Sequence, residues 1–138
     1  MNAVVLDTCA LIEFLERRSG LTDSLADFDQ LIIPAAVDAE FRAGLDPDTR
    51  DGRGRAAILD DLLQDPSVVF APAGRAESAK YAQLYRYLKQ NGTPIPIHDI
   101  WIAATALVRD AALCSMDRHF KYVPLLRTIG STPISMKK

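Results

Sequence analysis

Asp7 closes the apolar run "VVL" near the start of the chain, and three more acids, Glu40, Asp99 and Asp117, lie beside other apolar segments. Carboxylates gathered in one place are the ligands that hard divalent cations prefer, and a bound cation makes water nucleophilic near neutral pH. That chemistry needs convergence. Singly, each acid has an ordinary role: Asp7, beside Thr8, and Asp99 as helix N-caps, Asp117 as a turn residue, Glu40 as an exposed helical glutamate. A cap needs no company, whereas a catalytic carboxylate needs partners arriving from elsewhere in the chain.

Whether they meet depends on the elements that carry them. Val4–Leu6 suits a buried strand, apolar on both faces as in a parallel sheet, and the C-terminal end of such a strand is where these folds keep their ligands. The spacing predicts a helix over Ala10–Arg17 with Leu11, Phe14 and Leu15 on one face, then a short strand at Leu31–Pro34. A helix from Ala35 towards Gly44 follows, anchored by Val37 and Phe41 with Glu40 midway. "DPDTRDGRG" reads as loop, Arg55–Gln64 as helix and Val68–Phe70 as strand. "ESAKYAQLYRYLKQNG" reads as helix, and its stripe of Tyr81, Leu84, Tyr85 and Leu88 marks core or a subunit contact. The alanine-rich "IWIAATALVRD" follows Asp99 as a helix, "ALCSMD" is a short strand ending on Asp117, and Leu125–Ile129 is a last edge strand.

Strands alternating with helices give an α/β class. In a sheet of right-handed crossovers the strand ends and helix starts gather at one edge, which would bring the four acids together.

With 138 residues, 49% of them hydrophobic, the chain fits one domain with one core. A net charge of −2 argues against a basic nucleic-acid coat. Arg42, Arg50, Arg53 and Arg55 are interleaved with Asp46, Asp48 and Asp51, as in a solvated loop, which leaves phosphate contact open. A basic leader and a run of roughly 20 apolar residues are both missing, so a cytoplasmic protein with no membrane segment is expected. Cys9 and Cys114 lack metal-type spacing and read as small buried residues. "LDTCAL" has no glycine for a dinucleotide-binding turn, and Cys9 stands where a dehalogenase-type phosphatase would need a second Asp.

"VVLDTCALIEFL", "AEFRAGL", "HDIWIAATAL" and "CSMDRHF" together resemble, in order and spacing, the PIN-domain family, and the short length is similar to its VapC toxin branch. The resemblance spans nearly the whole chain. It implies a single PIN-like domain over 1–138, with a central, mostly parallel sheet of four to five strands flanked by helices. It also implies that Asp7, Glu40, Asp99 and Asp117 are the acidic metal-binding set of a ribonuclease. For Mg²⁺ or Mn²⁺ we assign Asp7 and Asp99 to direct coordination, Glu40 and Asp117 to coordination partly through water, and Thr8 and Ser115 to orienting the acids or a phosphate. Family members usually carry Thr where this chain has Ser115, and often Ser at Cys9; Asp38 and His98 lie outside the common signature.

The resemblance further implies an RNA substrate, a small antitoxin lying over the acidic groove, and a homodimer. Two rivals remain to be separated. His98 and His119 could act as a metal-free acid and base using the RNA 2′-hydroxyl, with His119 otherwise orienting Asp117 or sitting at the rim. The chain could also be an inert PIN-like module that binds RNA or protein, against which the intact acids argue.

Overall fold

The computed structural model describes residues 2–16 and 21–130. Strand β1 (Ala3–Leu6) leads into helix α1 (Thr8–Glu16) and the short α2 (Leu21–Ser24), then β2 (Gln30–Pro34) into α3 (Ala35–Ala43). Next come α4 (Arg50–Leu62), β3 (Val68–Ala71), α5 (Arg75–Gln90) and α6 (Ile97–Val108). The described chain finishes with β4 (Ala112–Cys114), a 3₁₀ turn over Arg118–Tyr122, and β5 (Thr128–Ile129).

The five strands form one sheet in the order β3-β2-β1-β4-β5, every pair parallel. This is the expected α/β class with helices around a parallel sheet. From β1 the chain steps outward through β2 to β3, then crosses back to build β4 and β5 on the other side of β1. The gap between the ends of β1 and β4 is therefore the topological switch point, where parallel sheets open a crevice. Leu6 is level with Cys114, so the residues just past each strand, Asp7 and Ser115, come out side by side.

The core explains why these segments became strands and helices. Val4, Val5 and Leu6 are fully buried, as a central strand covered on both faces requires. Ala103, Ala104 and Ala106 have no exposed surface, and their small side chains let α6 lie close to its neighbours. α5 packs on α6 through Leu84 and Leu88, while Tyr81 stacks on Trp101 with ring centroids 4.4 Å apart. The aromatic stripe thus divides: its leucines are core, and Tyr85 remains 43% exposed. No helix among the described residues is long and apolar enough to cross a membrane.

Three expectations change. "DPDTRDGRG" is loop only as far as Thr49, because α4 starts at Arg50, five residues before the helix expected there, and ends at Leu62 instead of Gln64. Thr49 caps it, accepting the Gly52 N–H at 3.0 Å, and Gly52 is needed because a Cβ there would lie 2.0 Å from the Asp46 carbonyl oxygen. Of the two glycines that suggested a loop, Gly52 serves a close approach inside a helix, and Gly54 stands in open space. The last strand shrinks from Leu125–Ile129 to Thr128–Ile129, since Leu125 has a φ of 66° and cannot lie in a strand. Helix α1 begins two residues earlier than expected, at Thr8; the expected end at Arg17 lies outside the described residues.

The arginine-rich stretch is tied into the fold. Arg42 pairs with Asp38 at 2.9 Å and Asp60 at 2.7 Å, Arg55 with Glu16 at 2.9 Å, and Arg53 donates to the Pro47 carbonyl at 3.1 Å.

Candidate active site

Asp7 follows β1 directly, and its backbone N–H continues the ladder by donating to the Cys114 carbonyl at 3.3 Å. Its Oδ1 accepts the Ala10 N–H at 2.8 Å, capping α1, and its Oδ2 accepts a hydrogen bond from the Ser115 hydroxyl. Asp7 therefore caps a helix and also faces the crevice; the two readings of the sequence were not exclusive. Burial raises its pKa above the ordinary aspartate value, hydrogen bonds from Ser115 and Ala10 counteract this, and the nearby charges of Asp99 and Asp117 raise it further.

Past β4, the Ser115 Oγ also accepts the Asp117 N–H at 2.9 Å, and Asp117 Oδ1 in turn accepts the His119 N–H at 2.8 Å at the start of the 3₁₀ turn. Asp117 is thus a turn residue as well as a crevice acid. The His119 side chain folds back, its Nδ1 2.9 Å from Asp117 Oδ1 and 3.2 Å from Asp99 Oδ2. Asp99 lies in the first turn of α6, not at its N-cap, which is Pro96. Burial raises the Asp99 pKa, the His119 hydrogen bond opposes this, and the charge of Asp117 adds to it.

Glu40 reaches the same place from α3. Its Oε1 accepts a hydrogen bond from Thr8 Oγ1 and lies 2.7 Å from His98 Nε2. That nitrogen is closed off from solvent and meets the carboxylate out of line for a hydrogen bond, so their pairing is one of charge when the imidazole is protonated.

Asp7, Thr8, Glu40, His98, Asp99, Asp117 and His119 all line one groove of about 490 Å³. A smaller trough of about 220 Å³, walled by Leu15, Phe41 and Ile58 and also by Glu16, Asp51 and Arg55, adjoins it through the shared Ile12. The donor set is mostly carboxylate and suits a hard divalent ion. Among the described residues, Asp99, Asp117 and His119 form a candidate grouping whose ligand atoms lie within 4.8 Å of one another.

His119 stands beside Asp117, as one reading of the sequence allowed, whereas His98 stands closer to the acids than the sequence suggested. Asp-x-His at 117–119 was a usable signal once a tight turn followed the strand, whereas nothing in the spacing linked His98 to Glu40. The reading of both cysteines as buried holds only for Cys114, whose thiol burial pushes up to about 12. Cys9 is exposed, because it follows Asp7 and Thr8 on the groove side of α1. Desolvation, then the charges of Asp7 and Glu40, raise its thiol pKa, which suits no thiolate chemistry.

The chain belongs to the PIN domain family, which it matches over residues 4–126. It is 28% identical over 128 residues to a protein named Ribonuclease VapC from Rickettsia bellii, covering 91% of this chain and 94% of that one. Among solved structures it is similar to a chain of the DNA-bound VapBC complex of Salmonella typhimurium, with a TM-score of 0.81, 17% identity, and 95% and 99% of the two chains covered. A chain of VapBC2 from Rickettsia felis, bound to a promoter DNA fragment, gives a TM-score of 0.78 at 22% identity, covering 93% and 98%.

Proposed function

We propose that this chain is a Mg²⁺- or Mn²⁺-dependent endoribonuclease, the toxin of a VapBC-type toxin–antitoxin pair, acting in the cytoplasm with residues 1–138 as one PIN-like domain. The observation that carries this reading is the arrival of Asp7, Glu40, Asp99 and Asp117 in a single groove at the switch point of a parallel sheet. Asp7 and Asp99 hold the ion directly; Glu40 and Asp117 hold it partly through water. Ser115 holds the carboxylate of Asp7, and Thr8 that of Glu40, by a hydrogen bond in the same groove. When bound, the ion supplies a nucleophilic water, neutralises phosphate oxygens and stabilises the leaving oxygen.

The test is digestion of total cellular RNA in chelator, Mg²⁺ or Mn²⁺, with fragment ends mapped. The expected result is cleavage only with metal, leaving 5′-phosphate and 3′-hydroxyl ends, and none by Asp7→Asn or Asp99→Asn. Full cleavage in chelator, or 2′,3′-cyclic phosphate ends, would assign the reaction to His98 and His119. RNA bound but uncut in every condition would mark an inert module.

Two protein partners complete the reading. A cognate antitoxin segment lies over the acidic groove and places a basic side chain among the carboxylates, with its apolar residues in the adjoining trough. A second copy of the chain pairs through the flank of α5 on which Tyr85 stands exposed.

A further inference from the structure

We infer that His119 is a nitrogen ligand of the ion held by Asp99 and Asp117, making the site a mixed oxygen and nitrogen site that favours Mn²⁺ over Mg²⁺. The inference rests on the metal dependence proposed above, and it makes Asp117 a direct ligand where that reading holds the ion partly through water. Its ground is geometry. Nδ1 of His119 stands 2.9 Å from Asp117 Oδ1 and 3.2 Å from Asp99 Oδ2, and donors from the three residues lie within 4.8 Å of one another. Neighbouring ligands about 2.0–2.1 Å from an octahedral ion stand about 3 Å apart, so these separations match two edges of a coordination shell.

Hydrogen bonding alone accounts for the arrangement less well. A single Nδ1 proton points along one line, yet the nitrogen faces two carboxylates, and Asp117 Oδ1 is already supplied by the His119 backbone N–H at 2.8 Å. An ion between the three groups serves both acids at once, with the imidazole neutral and its proton on Nε2. The side chain is carried by the turn that begins at Asp117, braced by the Asp117 N–H on Ser115 Oγ, so ligand and acid move as one unit. Mn²⁺ shares the preference of Mg²⁺ for carboxylate but accepts an imidazole nitrogen more readily, whereas Mg²⁺ keeps to oxygen, and the selectivity follows from this.

The test reads the metal instead of the reaction. Full-length protein is loaded with Mn²⁺ and examined by pulsed electron paramagnetic resonance for coupling to a directly bound nitrogen. Wild type labelled with ¹⁵N-histidine should show that coupling, and His119→Asn, which offers an oxygen near the Nδ1 position, should lose it. Mn²⁺ affinity in His119→Asn should fall about 10-fold or more, with Mg²⁺ affinity changed less than about 3-fold. Mn²⁺ bound by wild type without nitrogen coupling would overturn the inference and leave the acidic metal site standing. Coupling that survives in His119→Asn and vanishes in His98→Asn would overturn it in favour of the other histidine. Failure of wild type to bind Mn²⁺ would overturn it together with the metal reading beneath it. The wild-type spectrum decides even if a variant does not fold.

Discussion

The hydroxyl of Ser115 donates to the buried carboxylate of Asp7 across the ends of two adjacent parallel strands, and it accepts the backbone N–H of Asp117 at the same time. One small side chain therefore sets the position of two acids. Ser115→Ala should lower RNA cleavage by about 10- to 100-fold and stability by about 1–3 kcal/mol, because a buried carboxylate loses its partner. Ser115→Thr keeps the hydroxyl and should retain activity. Cleavage rates and thermal melts of both variants check this; an active Ser115→Ala would show that the two acids align without it.

Asp7 makes a sharper case, because cap and charge can be removed separately. Its pKa is raised in the folded state, so its ionisation costs nothing well below the ordinary aspartate value. Destabilisation grows as pH rises through that value and is complete above the folded one. Asn caps as well as Asp. Asp7→Asn in chelator should therefore melt higher than wild type at pH 7–8, with the gap closing towards pH 4. Asp7→Ala, which also gives up the Ala10 hydrogen bond, should lose about 1 kcal/mol relative to Asp7→Asn. Melts across that pH range test both, and an Asp7→Asn protein less stable than wild type throughout would mean that burial of the charge is fully compensated.

Metal removal should lower the melting temperature of wild type. An ion that binds only the folded chain stabilises it by about 2.7 kcal/mol at 100 times its dissociation constant. Asp99→Asn should gain much less from added Mn²⁺. Equal gains in the two proteins would place the bound ion elsewhere.

Gly52 and Gly54 test the start of α4. A Cβ at Gly52 meets the Asp46 carbonyl oxygen, while at Gly54 it meets nothing within 4 Å. Gly52→Ala should destabilise by about 1–3 kcal/mol and Gly54→Ala should stabilise by about 0.4–1 kcal/mol. Denaturant melts give both signs, and a loop at these positions would make both changes small.

Tyr85 is exposed while Leu84 and Leu88 on the same helix are buried, so Tyr85→Asp spares the core. If α5 pairs two copies, this change should turn a dimer into a monomer with its melting temperature nearly kept. Sedimentation at micromolar concentrations decides, and a monomeric wild type would end the proposal.

The class of fold was legible because its strands are short, fully apolar runs and its helices carry an apolar periodicity, the two patterns that burial leaves most clearly in a sequence. The acids at 7, 40, 99 and 117 were legible as a set from their places beside those runs and from the family resemblance. Less was visible where one residue type serves opposite ends. Gly52 and Gly54 read as loop because glycine usually breaks helices, although Thr49 and Asp51 already formed an N-terminal signal. Asp7 looked like a choice between cap and site because sequence cannot show that a carboxylate has two oxygens in use. His119 was visible only as a neighbour of Asp117; that its ring turns back on Asp99, 20 residues earlier, depends on the 3₁₀ turn.

The placing of β1 between β2 and β4 has a consequence for how the protein is made. During translation the N-terminal part of a chain emerges and folds first. β1, β2 and β3 can pair early, yet β1 then presents an unpaired edge until β4 is synthesised. Asp117 and Ser115 arrive only with that last stretch, so a nascent chain bears Asp7, Glu40 and Asp99 but has no complete crevice. Docking of β4 closes the open edge and brings Ser115 and Asp117 beside Asp7 in one event, so under the ribonuclease reading proposed above a growing chain cuts no RNA until its sheet is finished.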